Sequence, residues 1–246
     1  MSPRLQAEWQ RLYVSPSSPA FQTWADDASL TGPEGRTRAM VLSVGRPADW
    51  ASLSAVWQAV QSELGWPAPA IAVSGVDSYQ LWFSLVVPMP VQDLEACLAA
   101  LCQRHLGHLV NLGEGRFERR FDLNAGALPS REVRPGQWSA FLAPDLAPMF
   151  ADTPWLDISP NPQGQAELLS QIQSIQPEQW QSALAQLRSS PSTKDASPIN
   201  EVSAPATAPG EQDPRRFLLR VMNDESVDLA LRIEAAKALL PFSAPR

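Results

Sequence analysis

Apolar and polar positions alternate along this chain in two rhythms, one of period two and one near 3.6. Residues 4–14 place Leu5, Trp9, Leu12 and Tyr13 at helical spacing. Residues 15–37, rich in Ser, Pro, Asp and Gly, read as loop. Ala39–Val44 is a short apolar run stopped by Gly45-Arg46-Pro47, the pattern of a buried strand. Residues 48–64 set Trp50, Leu53, Val56, Trp57, Val60 and Leu64 on one helix face, and Gly65-Trp66-Pro67 ends the run. Ala70–Val73 is a second apolar run. In residues 79–87, Tyr79, Leu81, Phe83 and Leu85 alternate with Gln80, Trp82 and Ser84, which predicts a strand with one buried face, ended by Pro88 and Pro90. Residues 91–106 form a helix with Leu94, Leu98, Leu101 and Cys102 inward, and residues 116–123 predict a fourth strand.

The order is β-α-β-β-α-β, an α/β (α+β) arrangement with the split βαβ core of ferredoxin- and RRM-like folds. Two helices on one sheet face leave the other face for a ligand or a second layer. Residues 129–160 carry Trp138, Phe141, Phe150 and Trp155 among prolines and are expected to wrap this core. Two short helices follow within 162–188. Residues 189–212, rich in Pro, Ser and Ala without aromatics, predict a disordered linker. Asp213-Pro214 then opens a helical hairpin at 213–246, with apolar stripes of Phe217, Leu218, Val221 and Met222 and of Leu229, Ile233, Ala236 and Leu240. About 30 residues are too few to be stable alone, so the hairpin is expected to dock on the core, a partner or its own copy.

Composition narrows the function classes. The 246 residues carry a formal net charge of −7, which disfavours tight non-specific nucleic-acid binding but allows a local basic patch. Cys97 and Cys102, the only cysteines, lie on different faces of one predicted helix and cannot bridge locally, which fits a reducing, cytoplasmic setting. The first residues hold no apolar signal region, and no run of 18 apolar residues exists, so neither a secretory signal nor a membrane span is expected.

Residues 39–106 resemble the catalytic core of the archaeo-eukaryotic primase superfamily of replicases and primase-polymerases. The segment Val41-Leu42-Ser43-Val44-Gly45-Arg46-Pro47-Ala48-Asp49-Trp50 matches a family strand that ends in two acidic residues one apart; those positions hold Ser43 and Gly45. Ser74-Gly75 through Tyr79-Gln80-Leu81-Trp82 matches the family's Ser-Gly…aromatic-His motif, with Gln80 in the histidine position. Asp122, in a lone Phe-Asp pair that is not specific, is a candidate for the family's third, single carboxylate on a later strand. The resemblance implies Ser43, Gly45 and Gln80 on the open face of the sheet. The departures at Ser43, Gly45 and Gln80 argue against catalysis, because nucleotidyl transfer needs divalent cations and hard cations need carboxylate ligands. A shorter stretch, Asp213–Asp224 with Leu231–Phe242, resembles a helical segment of phage terminase small-subunit-like proteins.

The candidate ligand-binding residues are therefore Arg46, Ser74, Gly75, Tyr79, Gln80 and Trp82, with no catalytic residue, metal ligand or cofactor expected. Gly75–Ser78 reads either as a phosphate cradle of backbone amides or, several times more readily, as a plain loop without a P-loop lysine. Trp82 either stacks a base on an open sheet face or is buried there by residues 138–155, the second being favoured. Arg116, Arg119 and Arg120 read either as phosphate contacts or, more simply, as a solvated strand face in alternation with Glu114 and Glu118. Cys102 and His105 supply two metal ligands at most. His105 and His108 lie in no hydrolase-triad context, and Asp145, Asp152 and Asp157 read as caps and turns. The expected function is weak single-stranded nucleic-acid binding by a non-catalytic primase-polymerase-like protein, as a replication or phage accessory. The alternative is an interaction scaffold that recruits a protein partner through 213–242, and a nucleotidyltransferase with relocated carboxylates comes third.

Overall fold

A computed structural model describes residues 2–107 and 117–189, all within one compact unit, Met1–Asp195. The expected linker and hairpin, Arg116 and His108 lie outside the described residues. The described chain is of the α+β class. Its core strands are β1 (Arg36–Gly45), β2 (Ala70–Val73), β3 (Ser78–Pro90) and β4 (Phe117–Arg120), with a small hairpin of β5 (Glu132–Arg134) and β6 (Gln137–Trp138), then β7 (Ala140–Leu142). The helices are α1 (Pro3–Tyr13), α2 (Pro19–Gln22), α3 (Trp50–Ser62), α4 (Val91–His105), α5 (Pro162–Ser170) and α6 (Pro177–Ser189).

The main sheet runs β4-β1-β3-β2-β7 with every neighbouring pair antiparallel. The first four strands have the order that two β-α-β units interleaved around a β2–β3 hairpin must produce. The fifth, β7, was not expected from the Pro-rich stretch. Its outer edge is closed by the Gln165 side chain of α5, which accepts from Phe141 N at 2.7 Å and donates to Phe141 O at 2.9 Å. A side-chain amide thereby stands in for a sixth strand and blunts the edge.

One face of the sheet carries Met40, Leu42, Val44, Ile71, Val73, Tyr79, Leu81 and Phe83 under α3, α4 and α6. Asp49 caps α3 by accepting from Ser52 N at 3.0 Å, and Gly65 leaves it at φ 64°. Trp66 then stacks on Trp180 of α6 with ring centroids 5.7 Å apart.

The other face carries a second layer, one of the two outcomes that the helix placement left open, built from α1 and α5. Helix α1 lays Leu5, Trp9, Leu12 and Tyr13 across it, and α5 adds Ala166 and Leu169. Arg11 ties the two helices by donating to the carbonyls of Leu169 (2.8 Å), which also accepts from Ile172 N, and of Ile172 (3.2 Å), just past the end of α5. Strand β3 is consequently buried on both faces from Ser78 to Leu85, not on one. It also runs on through Pro88 to Pro90. Pairing with β2 stops at Ala70–Trp82, so both prolines lie where that edge is open and no ladder N–H is needed. Among the described residues, no helix is long and apolar enough to cross a membrane.

Candidate functional site

Cross-strand register assembles the site. Ser43 of β1 lies opposite Gln80 of β3 and Glu118 of β4, Gln80 lies opposite Ala72 of β2, and Gly45 lies opposite Ser78. Directly opposed residues of an antiparallel sheet share a face. Ser43, Gly45, Gln80 and Glu118 therefore occupy the α1 side of the sheet, beyond the end of the α1–α5 cover. There a cleft of about 450 Å³ opens, floored by Ser43 and Gln80. Glu118 and Arg120, two apart on β4, line one side. Arg131, Val133 and Arg134 of the β5–β6 hairpin and the Ser74–Ser78 loop complete it.

Among the described residues the lining holds four arginines, Arg46, Arg120, Arg131 and Arg134, against the acidic residues Asp77 and Glu118. On a chain of net charge −7 this is a local reversal of sign. Arg46 bridges both acids, with Nε 3.2 Å from Asp77 Oδ2 and Nη2 3.4 Å from Glu118 Oε1. It does so from a left-handed backbone, φ 58°, a conformation that costs a non-glycine residue about 1–2 kcal/mol. Arg131 pairs with Asp26 at 3.0 Å and holds that carboxyl below its ordinary pKa, through its hydrogen bond first and its charge second.

Two features of the backbone bear on the chemistry. The amides of Val76, Asp77 and Ser78 converge, as the phosphate-cradle reading required, but all three donate to Ser74 Oγ at 3.1–3.2 Å. The serine hydroxyl occupies the seat an anion would take, and the segment is a loop closed on itself. Gly45 is a steric requirement: a Cβ there would meet Ser78 Cβ at 2.6 Å and Asp77 O at 2.7 Å. An acidic residue cannot stand at position 45 unless that loop moves.

The expected ligand residues divide. Arg46, Ser74 and Gln80 line the cleft. Gly75, at φ 83°, is buried against Val133 and the Ser139 amide and holds the loop against the hairpin. Tyr79 faces the helices instead. Its hydroxyl donates to Ala147 O, its ring lies 5.5 Å from Trp50, and burial pushes its pKa up to about 12. Trp82 is fully buried, so no base can stack on it. Phe141 of the 138–155 stretch touches its ring, but as a strand residue. The cover comes mainly from α1, whose Tyr13 meets Trp82 edge-on at 5.3 Å.

Trp82 nonetheless reaches the site through its indole N–H, which donates to Gln80 Oε1 at 2.9 Å. An indole nitrogen can only donate, so the amide atom it meets is the oxygen. Ser43, with 4 % of its surface exposed, keeps a buried Oγ that has no hydrogen-bond partner among the described residues.

Several site residues escaped the sequence reading. Glu118 was read as part of a solvated face, and Arg120 either so or as a phosphate contact; both are exposed, yet they line one wall of the cleft. Arg131 and Arg134 were hidden in the Pro-rich stretch, although Pro135-Gly136 between alternating residues is a hairpin signal. Asp122 does not line the cleft, and Asp157 accepts from Trp155 Nε1 elsewhere. Cys102 is buried with its thiol pushed up to about 11, and burial holds His105 below its usual pKa. Among the described residues, no three metal-ligating side chains of the His, Cys, Asp or Glu type come together. No protein-family model matches the chain, and neither does any curated protein.

Proposed function

We propose that this protein is a non-catalytic relative of the primase-polymerase fold whose cleft binds single-stranded nucleic acid. The observation that carries the reading is the convergence of Arg46, Arg120, Arg131 and Arg134 on the sheet end where Ser43, Gly45 and Gln80 replace ionisable motif residues. Guanidiniums in a cleft attract phosphate without a metal. The absence of an exposed aromatic ring on the floor argues for backbone recognition and low sequence preference.

Nucleotidyl transfer is disfavoured on the same residues. Among the described residues Asp77 and Glu118 are the carboxylates in the lining, and both bind Arg46. A divalent cation would have to displace that guanidinium to reach them.

The test is fluorescence anisotropy of a labelled oligothymidylate titrated with the full chain at low and physiological salt. Saturable binding that weakens with salt is expected. Arg120→Ala and Arg134→Ala should each weaken it and flatten the salt slope by about one. No saturable binding at low salt sinks the reading. Partner capture through residues 213–246, the interaction-scaffold alternative, would then be the next experiment.

A further inference from the structure

We propose that Ser43 and Gln80 form a metal-independent seat for one phosphodiester oxygen on the floor of the cleft. The inference rests on the nucleic-acid reading above and narrows it to two side chains and one atom of the ligand.

The first observation is the orphaned hydroxyl. Ser43 Oγ is buried, makes no hydrogen bond among the described residues and belongs to the cleft lining. A buried polar atom without a partner costs stability and asks for an explanation from outside the chain. The second is the locked amide. Because Trp82 Nε1 can only donate, it fixes Gln80 Oε1 toward the dry core and leaves Nε2, with its two hydrogens, as the amide atom Gln80 offers to the cleft. Ser43 and Gln80 are cross-strand partners on one face, so their Cβ atoms lie about 5 Å apart. Two donors at that spacing converge on one acceptor.

The chemistry of the acceptor follows. Both floor groups are neutral and both can donate, and of the charged side chains around them the arginines outnumber the two carboxylates, Asp77 and Glu118, which Arg46 bridges. That set suits an anionic oxygen carried by a ligand. It suits a divalent cation poorly: the floor offers an N–H pair, the carboxylates of Asp77 and Glu118 beside Ser43 are held by Arg46, and Gly45 leaves no room for another carboxylate at its own position. Trp82 is then a positioning residue that acts through Gln80 without touching the ligand.

The test uses the full chain, Ser43→Ala and Gln80→Glu. The second variant keeps the acceptor for Trp82 and removes the donors. Two readouts are needed: anisotropy with labelled oligothymidylate in EDTA and in Mg²⁺, and the side-chain amide resonance of Gln80 (identified by its loss in Gln80→Glu) titrated with inorganic phosphate. We expect the same affinity with and without Mg²⁺, within twofold. Ser43→Ala should weaken it roughly fivefold, as for loss of one charge-assisted hydrogen bond, and Gln80→Glu more than that. The Gln80 amide should shift saturably with phosphate in the parent and much less in Ser43→Ala. If the oligonucleotide binds but needs Mg²⁺, or Ser43→Ala binds like the parent, the seat is wrong and the nucleic-acid reading stands. If the oligonucleotide fails to bind while phosphate still shifts Gln80 in a Ser43-dependent way, the seat stands as an anion site and the nucleic-acid reading falls. If neither ligand registers, both fall and Ser43 Oγ holds ordered water only.

Discussion

The two halves of one sheet face make the most instructive comparison in this molecule. Ala39, Val41, Ser84 and Trp82 occupy one half, Ser43, Gly45, Ser78 and Gln80 the other, on the same two strands and in continuous register. The first half is sealed by α1 and α5. The second opens to the arginine-lined cleft. Strand period alone makes both halves look alike, since each residue of interest is two positions from the last. What separates them is where the cover stops. The border between them is a hydrogen bond, from the indole of Trp82 on the dry side to the amide of Gln80 on the wet side.

The largest effect should come from emptying the dry half. Trp82→Ala removes a fully buried ring that contacts Tyr13 and Phe141, and should cost about 3–5 kcal/mol in urea unfolding. A cost below about 1 kcal/mol would mean that α1 does not seal this face. Trp82→Phe sharpens the comparison. It keeps most of the packing but releases Gln80, so ligand affinity should fall more than stability does.

A smaller loss is expected at the rim. Gly45→Asp forces a Cβ into the space of Ser78 and Asp77, and overpacking of this kind costs about 1–3 kcal/mol. The measurement is a thermal or urea midpoint beside that of Gly45→Ala. The two should be similar, because the clash begins at Cβ and charge adds little. If Gly45→Ala is neutral, the loop at 77–78 yields readily, and the wet half is softer than its backbone contacts suggest.

The legibility of these halves in the sequence differed for physical reasons. Helix α3 and strands β1, β2 and β3 were readable because their apolar periodicity is local: Leu53, Val56 and Val60 reveal a helix without knowledge of anything distant. The cover was not readable. Tyr13 meets Trp82 across 69 positions of chain, and Gln165 closes β7 through a side chain that looks like any surface glutamine. A strand of three residues, β7, is too short to show a period at all. The cleft was half legible. Ser43, Gly45 and Gln80 were placed on one face by alternation counted from their neighbours. Arg131 and Arg134 entered only through the return of a hairpin, a long-range event that composition records merely as proline and glycine. Trp82 was judged as a ring, and its remaining contribution, one N–H, depends on which atom lies beside it.

The finest test of the comparison uses two serines. Ser84, on the dry half, donates to Leu12 O at 2.6 Å and shares a hydrogen bond with Ser174 Oγ. Ser43, on the wet half of the same face, has no partner among the described residues. Replacing a satisfied buried hydroxyl strands the groups it served, so Ser84→Ala should cost about 1 kcal/mol. Replacing an unsatisfied one removes a penalty along with the group, so Ser43→Ala should move stability by no more than about 0.5 kcal/mol and in the stabilising direction. Paired urea unfolding at one protein concentration resolves a difference of that size. Equal costs at the two positions would mean that Ser43 already has a tightly held partner, such as a structural water, and that the border between the halves lies farther out than the end of α1. A neutral Ser43→Ala with a costly Ser84→Ala would show that the wet half keeps a hydroxyl which folding alone does not need.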